Sequence, residues 1–211
     1  MPNWCNNTVT LEHEDPAMIA RARAAFTKGT LLHEFIPVPI CLTETVSGYH
    51  SDPEMQAALE KSQQDNLNAY NYKNWYDFCV AEWGTKWDVG GDDGYINDIE
   101  GGLILSFDSA WAPPLNAYAR LVEQGFKVHA MYYEPGMCFA GVWEDGSDDY
   151  YEYGGETSAT VREAIGEELD EYFAISESMA EWEEENEEDE ENIDIDLDGG
   201  VSAVNEGHDE D

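Results

Sequence analysis

The spacing of apolar and polar positions changes along the chain, and each change predicts an element. Asn7-Thr-Val-Thr-Leu-Glu12 alternates, with Val9 and Leu11 on one side, and predicts a short strand. Glu14-Asp15-Pro16 predicts a helix start, with Asp15 as cap and Pro16 in the first turn. Met18, Ile19, Ala22 and Phe26 recur at helical spacing, and Gly29 marks the stop. Leu31 to Val38 reads as a second strand, held to a sheet end or edge by Pro37 and Pro39. Residues 40–52 read as loop. Residues 53–83 read as an inserted helical segment in two pieces. Met55 and Leu59 lie on one face of the first piece, and Trp75, Phe78, Cys79 and Trp83 on one face of the second. The joint falls within residues 66–74, and Gly84 ends the second piece.

Trp87 to Gly94 is turn-rich, and Gly102 to Phe107 has the continuous apolar pattern of a buried strand. Pro113 and Pro114 open a helix with Leu115, Tyr118, Ala119 and Val122 on its face, closed by Gly125. Phe126–Tyr133 and Met137–Glu144 read as strands joined through Glu134-Pro-Gly136. Asp145-Gly146 suits a tight hairpin turn into a last strand, Tyr150–Tyr153. The order is β-α-β, a helical insertion, then β-α-β-β-β. It predicts an α+β fold: a ferredoxin-like sandwich over residues 1–155, with an antiparallel sheet and two helices on one face. After Gly155 the pattern changes. Val161, Ile165, Leu169, Tyr172, Phe173, Met179 and Trp182 predict an acidic amphipathic helix within 156–190, and residues 191–211 read as an acidic disordered tail.

Charge alters this picture more than composition does. The 211 residues include 47 Asp and Glu against 9 Lys and Arg, a net charge of −38. Residues 156–211 hold 23 of the acids and one base, Arg162, so that segment carries −22 and residues 1–155 carry −16. Self-repulsion on this scale favours solubility at some expense of stability, and it opposes direct binding to nucleic acid, whose phosphates it would repel. No apolar stretch is long enough for a membrane span, and the N-terminus lacks the pattern of a signal peptide. Cys5, Cys41, Cys79 and Cys138 lie far apart with no C-x-x-C, so reduced, mostly buried thiols are expected.

Four runs together carry a family likeness. Met1-Pro-Asn-Trp-Cys-Asn-Asn-Thr-Val-Thr10, Trp83-Gly-Thr-Lys-Trp-Asp88, Phe107-Asp-Ser-Ala-Trp-Ala-Pro-Pro114 and Tyr133-Glu-Pro-Gly-Met-Cys-Phe-Ala-Gly141 resemble the phage and plasmid proteins with a YubB-type ferredoxin-like domain. The likeness spans roughly residues 1–155. It implies a protein of phage or mobile-element origin in a bacterial cytoplasm, with a ferredoxin-like fold but no iron–sulfur cluster. It supplies no catalytic residues, and no cofactor is expected. The cysteine spacing agrees, because cluster ligation needs closely spaced thiolates.

Each candidate site competes with a plainer alternative. Cys5 as a nucleophile would need a base such as His13 or His129, whereas Trp4 and Cys5 packing beneath the sheet needs nothing further. Trp83, Trp87 and Trp111 could form a stacking platform for a base or sugar, but the cations that would hold phosphates are scarce, and buried core positions are expected. Asp88, Asp92 and Asp93 could hold a hard cation, against a solvated turn. Asp194, Asp196 and Asp198, with Gly199, reproduce the opening of a calcium loop, yet Asn205 stands where the bidentate glutamate belongs and Glu206 comes one residue late. An acidic tail produces such a pattern by composition alone.

The expected function is therefore non-enzymatic. Carboxylates displayed where a DNA-binding protein meets phosphates would make this a DNA mimic, inhibiting a bacterial defence or repair protein. Duplex DNA carries about one charge per 1.7 Å, so the protein's charge corresponds to roughly 19 base pairs. The expected partner is a basic surface of a host protein, with no nucleic acid or membrane bound. The residues assigned to that contact are Glu167, Glu168, Asp170, Glu171, Glu181, Glu183, Glu184, Glu185, Glu187 and Glu188. Two alternatives stand beside it: an accessory protein-binding domain with a solubilising tail, and calcium binding through 194–206.

Overall fold

The structure, a computed structural model, describes residues 3–198, with side chains described through residue 186. The chain divides into two compact units, Met1–Gly154 and Gly155–Asp211.

In the first unit, strands β1 (Trp4–Glu12), β2 (Tyr95–Ile99), β3 (Gly102–Ala110), β4 (Lys127–Glu134), β5 (Phe139–Glu144) and β6 (Ser147–Glu152) form one antiparallel sheet. Their order is β2-β3-β1-β4-β5-β6. The fold is thus α+β around a six-stranded antiparallel sheet. Alternation fixes the register, because a slip of one residue would turn every side chain to the other face. Val9 stands opposite Leu105 and Ala130, and Leu11 opposite Leu103 and Val128. All six are buried, and Trp143 extends the row from β5. At the β5–β6 hairpin, Asp145 and Gly146 both take positive φ, as a type I′ turn requires.

Helix α1 (Pro16–Thr27) adds Ala22, Ala25 and Phe26 to the core, and the Asp15 carboxylate accepts the Ala17 N–H at its start. Four helices follow: α2 (Leu31–Phe35), α3 (Ile40–Thr43), α4 (Pro53–Tyr70) and α5 (Trp75–Glu82). Asp52 caps α4 through the Glu54 and Met55 N–H groups, and Asn74 caps α5 through Asp77. Between them Asn71 adopts the left-handed conformation, which ends α4. Helix α6 (Leu115–Glu123) buries Ala117, Tyr118 and Leu121. Ala119, expected on its apolar face, lies about 100° around the helix from Tyr118 and is exposed.

Leu31–Val38 is not a strand. Its first five residues form α2, because groups distant in sequence satisfy the backbone there. The Asp88 carboxylate accepts the N–H groups of Leu32 and His33 at 2.7 and 2.9 Å, capping the turn. The Trp83 indole N–H donates to the Ile36 carbonyl at 3.0 Å. Leu31, Leu32 and Phe35 are then buried at helical spacing. The strand expected there is supplied by β2, from a stretch where the sequence reading placed no element. Ile40–Thr43 is likewise a helical turn within the expected loop.

The second unit is three helices, not one: α7 (Val161–Ile165), α8 (Glu167–Phe173) and α9 (Ile175–Asp198). Gly166 (φ 91°) and Ala174 (φ 52°) break the chain between them. Val161, Ile165, Leu169 and Ile175 are buried, but Tyr172 and Trp182 of the expected apolar stripe are 50% and 65% exposed. Each break rotates the next helix, so a single stripe cannot be continued across them. Residues 191–198, expected in the disordered tail, lie on α9; residues 199–211 fall outside the described residues.

Candidate functional site

Trp4, Trp87 and Trp111 lie together where two strand ends meet the loop after α5. Trp4 opens β1 opposite Ala110, the last residue of β3. Trp111 follows with φ 68°, a left-handed conformation rare for a bulky side chain, and its N–H donates to the Asn3 carbonyl at 2.9 Å. The loop is held flush against α1. Gly90 has φ 97°, and a Cβ there would lie 2.3 Å from the Phe26 carbonyl oxygen; one on Gly94 would lie 2.6 Å from the Phe26 ring. Only glycine fits at either position.

Trp83 is buried, as expected, but Trp87 and Trp111 are not core residues: they are 39% and 42% exposed. They sit in irregular segments, Trp87 midway between Gly84 and Gly90 and Trp111 two residues before Pro113, so no periodic stripe carries them inward. Trp4 and Trp87 have ring centroids 5.9 Å apart, and Tyr76 meets Trp111 at 6.4 Å. The Lys86 ammonium lies 4.5 Å from the Trp87 centroid, 5.2 Å from Trp111 and 5.9 Å from Tyr76. These rings already hold one cation by their faces.

Next to Trp4 and Trp87 opens a cavity of about 340 Å³, whose walls also include Asp88, Asp93, Phe107 and Asp108. The three carboxylates differ. Asp88 is not a solvated turn residue: its oxygens accept the N–H groups of Leu32, His33 and Val89. Burial pushes its carboxyl up, and those N–H groups act in the opposite direction. Asp108 is exposed and accepts the Asn6 side-chain N–H at 2.6 Å. Asp93 is exposed and makes no hydrogen bond or ion pair with the described residues.

Cys5 lacks the setting of a nucleophile. It is fully buried, which pushes its thiol well up, with Glu134 adding to the effect. His13 faces the Gln124 carbonyl and the Phe126 ring, and His129 stands opposite Thr10 while Cys5 stands opposite Ser109. Burial likewise pushes the Cys79 thiol up to about 12. All four cysteines are free. Among the described residues, no group of three or more His, Cys, Asp or Glu side chains is gathered to hold a metal, and no helix is long and apolar enough to cross a membrane.

The acids assigned to partner contact separate into distinct roles. Asp170 is buried and accepts both the N–H and the hydroxyl of Ser176, capping α9, so it is not a contact residue. Glu167 and Glu171 pair with Arg162 at 2.5 and 2.8 Å. Glu183 accepts the N–H and hydroxyl of Ser158, which hold its carboxyl below the usual range. Glu168, Glu181, Glu184 and Glu185 are exposed, with no ion pair or hydrogen bond to the described residues. Glu187 and Glu188 follow on α9, with side chains outside the described residues. Asp194, Asp196 and Asp198 fall on the helical backbone of α9, with side chains outside the described residues. The remainder of the expected calcium loop, through Glu206, is outside the described residues.

No family model matches the chain, and no curated protein matches it. Among solved structures it is similar to the protein api92 from Yersinia pseudotuberculosis, described under the family model DUF1281. The identity is 10%, the TM-score 0.41, and the match covers 74% of this chain and 99% of the other.

Proposed function

We propose that this is a non-enzymatic protein of a phage or mobile element, with a ferredoxin-like domain, that acts as a DNA mimic in the cytoplasm of a bacterial host. Its target is the basic, DNA-contacting surface of a defence or repair protein. The strand order β2-β3-β1-β4, with α1 after β1 and α6 before β4, supports the ferredoxin-like part of the reading. The hairpin β5–β6 extends that sheet.

One observation carries the functional part. Glu177, Glu181 and Glu184 recur at i, i+4 and i+7 on α9, across the helix from buried Ile175, and all three are exposed without a partner among the described residues. At 1.5 Å per residue they place three charges within about 11 Å, and Glu188 continues the row by position. A row of like charges on one helix face lowers helix stability, so a partner's cations relieve it on binding. The same charges bring such a partner in rapidly at low salt.

The test uses the full chain as bait in bacterial lysate at about 50 mM and about 200 mM salt. The expected result is a DNA-binding host protein retained at the lower salt and released by the higher salt or by competing duplex DNA. The Glu177→Gln, Glu181→Gln, Glu184→Gln triple variant should retain about tenfold less. Retention that withstands competing duplex DNA, or no DNA-binding protein at low salt, would overturn the reading. The half-exposed tryptophans favour a second reading, in which the first unit binds a protein and the acidic segment serves solubility. There the triple variant binds as well as the parent.

A further inference from the structure

We infer that the cavity beside Trp4 and Trp87 receives an arginine side chain from the surface of a partner protein. This rests on the reading that the partner presents a basic protein surface, but it does not depend on α9.

Three features select a cation. The walls carry Asp88, Asp93 and Asp108, and neither Lys nor Arg is among the lining residues, so an anionic group would face three carboxylates. Trp4 and Trp87 are 43% and 39% exposed, leaving indole surface open to a ligand. Indole faces attract cations, and Trp87 already does so for Lys86, which does not line the cavity. An uncharged apolar group would strip water from the Asp93 and Asp108 carboxylates with nothing in return.

Two features then select arginine over lysine. The indole pair, inclined at 38°, offers flat surfaces on which a planar guanidinium stacks while its N–H edge stays free. Among the described residues Asp93 has no partner and Asp108 has one oxygen engaged by Asn6, so carboxylate oxygens remain to accept that edge. A compact ammonium keeps its hydration more strongly and uses neither the flat surface nor the fork. The volume, about 340 Å³, admits the guanidinium together with its methylene stem.

The experiment follows the indole N–H signals of the full-length protein by NMR, assigned through Trp4→Phe and Trp87→Phe. The probes are N-acetyl-arginine amide, the matching lysine and glutamine amides, and tetramethylammonium. N-acetyl-arginine amide should give saturable shifts of the Trp4 and Trp87 signals while Trp182 stays still. The lysine amide should bind about threefold more weakly, and the glutamine amide should give no saturable shift. The Asp93→Asn, Asp108→Asn double variant should weaken arginine binding about fivefold. Both positions are exposed, and retained amide dispersion reports that the fold persists; Trp87→Ala provides an independent variant. The inference is overturned if Trp4 and Trp87 do not shift, if the glutamine amide shifts them equally, if tetramethylammonium binds more tightly than the arginine amide, or if both variants bind like the parent. The Glu177, Glu181, Glu184 triple variant should keep these shifts. Shifts without DNA-competed retention would therefore sink the mimic reading alone, and retention without shifts would sink the arginine site alone.

Discussion

At the scale of single residues, Asp88 links parts of the chain that sequence separation conceals. Its carboxylate closes three backbone N–H groups, two of them 55 and 56 residues away, and so turns an apolar run into helix α2. Replacing it with alanine strands those donors in a largely buried place. Asp88→Ala should lower unfolding stability by about 3 kcal/mol, and Asp88→Asn, which keeps one acceptor oxygen, by less. Urea denaturation measures both, and an unchanged midpoint for Asp88→Ala would show that water replaces the carboxylate. None of this is legible in the sequence, where Asp88 is one of three aspartates in a glycine-rich turn. The exposure of Trp87 and Trp111 did leave a signal: both lie off any periodic stripe, Trp87 midway between Gly84 and Gly90 and Trp111 two residues before Pro113. Hydrophobicity alone had assigned them to the core. Trp4 joins them only because β1 and β3 pair in a register that aligns their ends.

At the scale of elements, the helices of the second unit show how an apolar pattern can be read correctly and still be assembled wrongly. Val161, Ile165 and Leu169 are buried as their spacing predicts. The breaks at Gly166 and Ala174 re-aim the chain, and only the glycine is a sequence signal for that. Asp170, counted among the displayed acids, instead fixes the start of α9 through Ser176. Asp170→Ala should cost the cap about 1 kcal/mol. Amide exchange in the first turn of α9 should speed up accordingly, and unaltered protection there would exclude the capping role. Leu31–Val38 departs from its expected strand for another reason. A short apolar run fits strand or helix equally, and a tertiary cap decided it.

At the scale of the whole molecule, net charge opposes the compact state. With 47 acids and 9 Lys and Arg, few carboxylates can be paired, so shortening the reach of repulsion should stabilise the fold. Raising sodium chloride from about 50 to about 500 mM should lift the melting temperature by about 5 °C. A flat or falling melting temperature would mean that the ion pairs, such as Arg120 with Glu82, outweigh the repulsion. The sheet was more legible at this scale than its parts. The mixed α+β architecture follows from where strand-like and helix-like periods alternate, although one expected strand was a helix and β2 was missed. An exposed strand such as β2 buries little and leaves a weak hydrophobic signature.

The two outer strands of the sheet have a consequence for how copies of the protein behave together. An unpaired strand edge is a template on which another chain can lengthen the sheet. On β6 that edge carries exposed Asp149 and Glu152, whereas Asp98 on β2 is paired with Arg23. Two copies approaching edge to edge bring like charges together before any backbone bond can form. That charge is therefore a colloidal barrier, one that acid removes by neutralising the carboxylates. Crowding at neutral pH leaves the molecules apart, while acidification opens a path to edge-to-edge growth of the sheet without first requiring the core to unfold.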